Sequence, residues 1–487
     1  MPTFMLGFIQ RIFFLLLVSL VSPFLMAHGQ LKYYSPEHIK QDFQQLYTDL
    51  KKSHNNLFAN LPESQYQKHF QKSLLSIKKP MTEREIRLLF QKFVALGKVA
   101  HASIDLPIND FFTYREQGGT MLPLFIKINE DSVVVDEYLG ENTALKTGTQ
   151  ILAIDNLPIE SWIDRSSALL SADTSQLATT MIEARFPFLL WLLVGEQAQF
   201  NLTIKTQEGV ESATAKALTR EQQTLYSAKS AVPETQPRDW KLLEGNIGWI
   251  KPGPFYNIEP GAEDVWDNRG FIRFVDEAMT HFIEKDAAAL IIDVRDNPGG
   301  TNSFSDHLIA WIATQPFRFS SDFRVKISEH AITSNAERLK PDTDPNDFSY
   351  LLARFYEQNE LGNIVSFPLP YQQPHSDKHF NKPVFLLINR YSYSNAVNVA
   401  AILKDYGMAT LVGEATADFA TTYGAMEHFN LINTGIKVGF PKALIIRPNG
   451  DIRPGGVEPD IAITLSGNEH EIIERVRKLV LMHLKSD

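Results

Sequence analysis

The sequence predicts a multidomain α/β protein, and three observations predict it. Apolar strands alternate with helical stretches from about residue 246 onward, a β-rich stretch precedes them at 119–235, and amphipathic helical spacing fills residues 34–97. A chain of 487 residues suffices for two or three domains, and 44% hydrophobic content supports a sizeable core. The predicted order is a signal peptide at 1–27, a helical segment at 28–118, a β module at 119–235 and an α/β domain at 236–487.

The N-terminal stretch MPTFMLGFIQRIFFLLLVSLVSPFLMA carries Arg11, an apolar run from Ile12 broken by Pro23, and Ala27 ahead of polar HGQ. That pattern predicts a signal peptide cleaved after Ala27, because the apolar run falls short of the ~20 residues that span a bilayer. No later segment reads as apolar enough to span, so the expected mature chain is periplasmic or secreted, with no stable membrane insertion. The chain has no cysteine, which excludes a cysteine nucleophile, a thiolate metal site and a disulfide framework, and which suits an oxidising compartment. Formal charge is −10, from 47 basic and 57 acidic residues, without a run of five like charges, so a nucleic-acid partner is not expected.

The helical segment opens with SPEHIKQDFQQLYTDLKKSH, where Ser35 is placed as a cap, and continues with TEREIRLLFQKFVALGKV, where Thr82 and Glu85 form a capping box. It ends in GKVAHASIDLP, with a lone histidine, His101. In the β module, MLPLFIKI, DSVVVDEYL, TQILAIDNLPI and AQFNLTIKT read as strands separated by turn residues. The dense apolar patch ARFPFLLWLLVGEQ, residues 184–197, reads as core or interdomain packing. In the third region the expected order is strand GNIGWIK, helix 268–285, strand AALIIDVR, helix 303–314, strand KPVFLLIN, helix 395–406 and strand ATLVG. This alternation predicts a mostly parallel sheet with helices on its faces, interrupted by an insertion at 330–363.

Ligands of open α/β sheets bind outside the carboxyl ends of the strands, so the turns there carry the chemistry. Two stand out. LIIDVRDNPGGTNSF ends its strand at Asp293 and turns through Gly299 and Gly300, where successive glycines let amides point into a cleft. NRYSYSNAVNVAAILKDYG places Ser392 and Ser394 at a strand-to-helix bend, where the free amides of a first helical turn can hold an oxyanion and where serine is also a preferred N-cap. His375 and His379 stand four apart in a loop, a weak basis for a metal site, and no metal is expected. Neither a G-x-S-x-G elbow, a P-loop, an H-E-x-x-H nor a dinucleotide fingerprint occurs, so no cofactor is implied.

GTQILAIDNLPI, LIIDVRDNPGGTN, NRYSYSNAVNVAAILKDYGMATLVGEAT and GGVEPDIAI, in this order, resemble the S41 peptidases, the family of C-terminal processing proteases and the tricorn core. The resemblance implies a PDZ-like β module and an S41-type, ClpP/crotonase-like α/β catalytic domain. It implies an exported serine-type peptidase acting on a peptide or protein, with Ser394 as nucleophile and with Asn395, Gly299 and Gly300 as oxyanion donors. In that family PDZ-like modules receive peptide ends along a sheet edge. The processing proteases use a lysine where VGEATADFATTYG carries Phe419, so a Ser/Lys dyad is not expected. The tricorn-like branch uses a histidine, and His101 matches its position; imidazole titrates near neutrality and can activate a serine. Asp451 is the acid the resemblance offers to orient His101, while Glu414 and Tyr423 are expected to face the substrate cleft. Lys404, Lys437 and Lys442 lie outside the lysine motif and read as exposed. The lost lysine leaves an alternative, an inactive S41-like protein that binds peptide ends or an apolar ligand, with Ser394 as N-cap. Oligomeric state is not legible.

Overall fold

The computed structural model describes residues 32–227, 237–340, 344–375 and 378–485; the predicted signal peptide lies outside them. Three main sheets and a two-stranded ribbon organise the described chain. The six-stranded sheet of the C-terminal half runs Asp239–Leu243, Ile247–Lys251, Ala289–Asp293, Val384–Ile388, Thr410–Gly413 and Ile461–Ala462. All pairings are parallel except the first, as the strand–helix alternation predicts. Ala289–Asp293 and Val384–Ile388 are buried throughout, since a parallel sheet has helices on both faces. Helices Arg269–Glu284, Asn302–Ala310 and Asn395–Asp405 cover one face around Phe271, Phe304 and Val397. Helix Glu469–His483 covers the other through Ile473, Val476 and Val480.

The β module is an antiparallel sheet in the order Leu124–Asn129, Ser132–Tyr138, Gln150–Ile154, Gln199–Lys205, Val210–Lys216. Its core is filled by the helix Ser175–Val194, whose second half is the apolar patch seen in sequence. By length and composition this helix is apolar enough to cross a membrane, which corrects the expectation that no later segment is. Most of it is buried inside the module, where Phe186, Leu189 and Leu190 pack on the sheet.

The N-terminal helices do not form a core of their own. Pro36–Ser53, capped by Ser35, and Glu83–Ala95, opened by the Thr82–Glu85 capping box, pack into one cluster with strands Asp322–Lys326, Thr422–Asn430 and Lys437–Ile446. Ser103–Ile104 then pairs with Val438–Gly439 and ties the His101 segment to that antiparallel sheet. The insertion folds as helices Glu329–Ala336 and Phe348–Glu357, the first held to Thr422–Asn430 through Ser334 and Arg338 bonded to Glu427. Lys442 also binds Glu427 and is 3% exposed, so it is a buried partner of that acid and not the surface lysine expected.

Candidate active site

Neighbouring parallel strands end on the same side, so the turns after Lys251, Asp293, Ile388 and Gly413 come together. They are sewn to one another. Ser392 Oγ donates to Val294 O at 2.8 Å, Tyr393 N to Asn297 O at 2.9 Å, and Asn297 Nδ2 to Gly253 O at 2.6 Å. Ser392 is fully buried in this lattice and holds the turn.

Ser394 stands differently. Its backbone takes φ 53° and ψ −119°, outside the ordinary regions for a non-glycine residue, at a cost of about 1–3 kcal/mol. It occupies the N-cap position of Asn395–Asp405, yet its side chain caps nothing. Its Oγ lies 3.4 Å from Nε2 of His101, a loose contact of the kind that unliganded sites show. His101 is 7% exposed and stacks on Tyr393 with ring centroids 5.8 Å apart.

Two carboxylates flank this pair. Asp173 Oδ2 accepts the amide of Ala100 at 3.1 Å, which fixes an acid next to the histidine segment. Asp418 accepts the Ser394 amide at 2.7 Å and the Phe419 amide at 2.9 Å. Burial lowers the His101 pKa, and the Asp173 charge and the Tyr423 backbone work against that. His101 Nδ1 itself makes no well-formed hydrogen bond among the described residues. Burial pushes Asp173 up to about 6, assisted by the charge of Asp418, and burial pushes Asp418 to about 6 as well.

The glycine pair closes the other side. Gly299 has φ 87°, and a Cβ there would come within 2.8 Å of both Asn395 N and Ser394 Cβ. Its amide is committed to Asn297 Oδ1 at 2.8 Å. The backbone around Gly300 pairs with Phe255 through Gly299 O and Thr301 N, which leaves the Gly300 amide without a protein acceptor among the described residues. The amide of Asn395 likewise has none. Gly456 packs directly on Thr416 O, so the PGGV stretch needs a glycine where it meets the VGEAT loop.

The other expected site residues are spread out. Asp451 turns its carboxylate to Arg453, which holds its pKa far below the usual range, and only its main-chain oxygen joins the loop cluster, through Thr421 Oγ1. Among the described residues no contact with His101 places it as the orienting acid; Asp173 and Asp418 stand nearer to the pair, and the sequence reading missed both. Tyr423 lies against His101 through its backbone, and its hydroxyl accepts from Asn56 Nδ2 at 3.1 Å. Glu414 faces the charges of Lys127 and Arg390. Lys404 pairs with Asp460. His375 stacks on Trp311, and no cluster of metal-ligating residues occurs among the described residues.

A Chlamydia muridarum protein described as uncharacterized is 27% identical over 288 residues, covering 50% of this chain and 46% of its own length. A Chlamydia pneumoniae protein is 24% identical over 250 residues, covering 43% of this chain and 40% of its own length. The chain thus spans about half the length of the curated relatives it matches. Mature CPAF, solved in complex with lactacystin, superposes with a TM-score of 0.63 at 16% identity, over 93% of this chain and 99% of that one, which shows a shared fold. The sequence model of Peptidase family S41 matches residues 268–463, the stretch that carries the glycine pair, Ser394 and Asp418, so it is to peptidase family S41 that this stretch of the chain is similar.

Proposed function

We propose that the protein is a serine-type peptidase that hydrolyses peptide bonds through Ser394 and His101. The observation that carries the reading is the 3.4 Å approach of His101 Nε2 to a Ser394 hydroxyl that has no capping role and sits on a strained turn. In the reaction His101 accepts the hydroxyl proton as Ser394 Oγ attacks the substrate carbonyl. The amides of Gly300 and Asn395 donate to the oxyanion that forms. His101 then passes the proton to the leaving amine, and water, activated by the same imidazole, releases the acyl group. Asp173 supplies the negative charge that favours the imidazolium in between. Phe419 stands where the processing proteases carry a lysine, so the base is the histidine.

Export to the periplasm or beyond is part of this reading and is supported by the N-terminal sequence, with a peptide or protein as substrate. The deciding experiment is labelling of the purified protein with a fluorophosphonate, read by intact mass, beside Ser394→Ala and His101→Ala. Stoichiometric labelling that both variants lose is the expected result. A folded wild-type protein that stays unlabelled from about pH 6 to 9 overturns the reading.

A further inference from the structure

Glu183 sits in the middle of the helix Ser175–Val194, whose other buried residues are apolar apart from Thr180 and Arg185, and is 5% exposed. A carboxylate in such a place costs several kcal/mol unless it is paired. Its partners come from two directions. Oε1 accepts the Ile128 amide at 2.6 Å, and both oxygens accept Arg390 Nη2 at 2.8 and 2.7 Å. Oε2 also accepts the Tyr391 hydroxyl at 2.5 Å. Lys127 Nζ donates to that same hydroxyl at 2.6 Å and lies over the Tyr391 ring. One buried acid therefore joins the β module to the two residues that lead into the Ser392–Ser394 turn.

The Ile128 bond has a second meaning. Leu124–Asn129 is the terminal strand of its sheet, and an open strand edge is where a peptide adds as a further strand, its carbonyls accepting the outward amides. Glu183 already provides that acceptor. We propose that Glu183 is a positioning residue: it closes the Leu124–Asn129 edge to an incoming peptide strand and with the same carboxylate holds Arg390 and Tyr391, and through them the Ser394 turn. The β module is then a fixed brace for the nucleophile loop. The catalytic consequence rests on Ser394 being the nucleophile; the brace itself does not.

The test is amide hydrogen exchange on the purified protein, read at 387–397 and at 124–129, for wild type, Glu183→Ala, Glu183→Gln and Tyr391→Phe, beside fluorophosphonate labelling rates. Exchange at 387–397 is expected to rise at least about tenfold in Glu183→Ala, with partial rescue in Glu183→Gln, while Glu469–His483 stays as protected as before. Labelling of Glu183→Ala slows by a similar factor. A mixture of peptides with free C-termini leaves exchange at 124–129 of the wild type unchanged. Wild-type protection at 387–397 in a folded Glu183→Ala, or protection of 124–129 by peptide, overturns the proposal. Should Glu183→Ala not fold, Tyr391→Phe, which removes the hydroxyl shared by Glu183 and Lys127 and leaves Arg390 bound, decides by the same criterion, a rise in exchange at 387–397. A wild type that never labels removes the serine reading, and the exchange result still decides the brace.

Discussion

Asp418 Oδ2 accepts the backbone amide of Ser394 at 2.7 Å, so a buried carboxylate is fixed to the main chain of the strained residue itself. That bond ties the carboxylate to the turn at φ 53° and stabilises its charge, yet burial outweighs it and lifts Asp418 to about 6 from an ordinary 3.8.

The raised pKa has a pH signature. With the folded pKa raised, the folded protein keeps a proton between about pH 4 and 6 that the unfolded chain has released, so this group's contribution to stability falls as pH rises through that window and is flat above it. Two units correspond to about 3 kcal/mol as an upper figure. Asp418→Asn is expected to make that segment of a urea-midpoint profile less steep, the remaining slope coming from Asp173, which burial raises into the same window. Below about pH 4.5 the opposite trend enters from Glu427, whose pKa is held down to about 2 despite its burial, by Lys442 and Arg338, and whose contribution is lost as pH falls. A variant with the same pH dependence as wild type between 4 and 6 would show that Asp418 does not titrate there.

Activity should follow His101. Burial lowers its pKa, so the neutral imidazole that can act as base persists below the ordinary range near 6.5. The labelling rate is expected to rise along a limb centred below that value and to stay level through neutrality. Asp173→Asn removes the charge that favours the imidazolium, which moves the limb further toward acid and slows labelling about tenfold. Asp451→Asn, on a carboxylate turned to Arg453, is expected to leave both the limb and the rate near wild type. The reverse ranking of these two variants would make Asp451 the orienting acid.

What could be read from sequence was whatever local pattern dictates. The parallel sheet followed from strands alternating with helices, and the caps at Ser35 and Thr82 followed from residues three apart. Asp173 was invisible for a different reason. It precedes the N-cap Thr174 and reads as an ordinary acid at a helix start, and only the fold brings it to Ala100, 73 residues away. Lys442 looked like a surface lysine because nothing near it in sequence is acidic enough to pair with it; its partner Glu427 is on the adjacent strand. The shared core of the N-terminal helices was hidden likewise, since Asn55 bonds Lys442 O across 387 residues. The division between Gly299 and Gly300 needed the Asn297 side chain, whose bond no spacing rule announces.

Gly299 gives a steric test of the oxyanion site. An alanine there must adopt φ 87° and would set its Cβ against Asn395 N and Ser394 Cβ, where the oxyanion would form. Gly299→Ala is expected to cost about 1–2 kcal/mol in backbone strain and to slow labelling about 100-fold. Gly148→Ala, at the same φ of 87° but where a Cβ meets nothing within 4 Å, is the matched control. Loss of stability without loss of rate would place the oxyanion elsewhere.

The Glu427 cluster separates stability from catalysis. Lys442 Nζ and Arg338 share its carboxylate, which has no exposed side-chain surface, and Ser334 donates to it at 2.6 Å. Removing one partner of a buried ion pair leaves charge uncompensated, and such losses run to about 3–5 kcal/mol. Lys442→Met is expected at the lower end, because Arg338 still binds, with the urea midpoint reduced at pH 7.5 and the deficit shrinking below about pH 4.5 as Glu427 protonates. The cluster fastens the insertion helix Glu329–Ala336 to the strand Thr422–Asn430 and makes no bond to His101 or Ser394 among the described residues. The labelling rate of the folded variant at 25 °C should therefore equal that of wild type. A rate that falls together with stability would mean that the insertion shapes the site as well as the sheet beneath it.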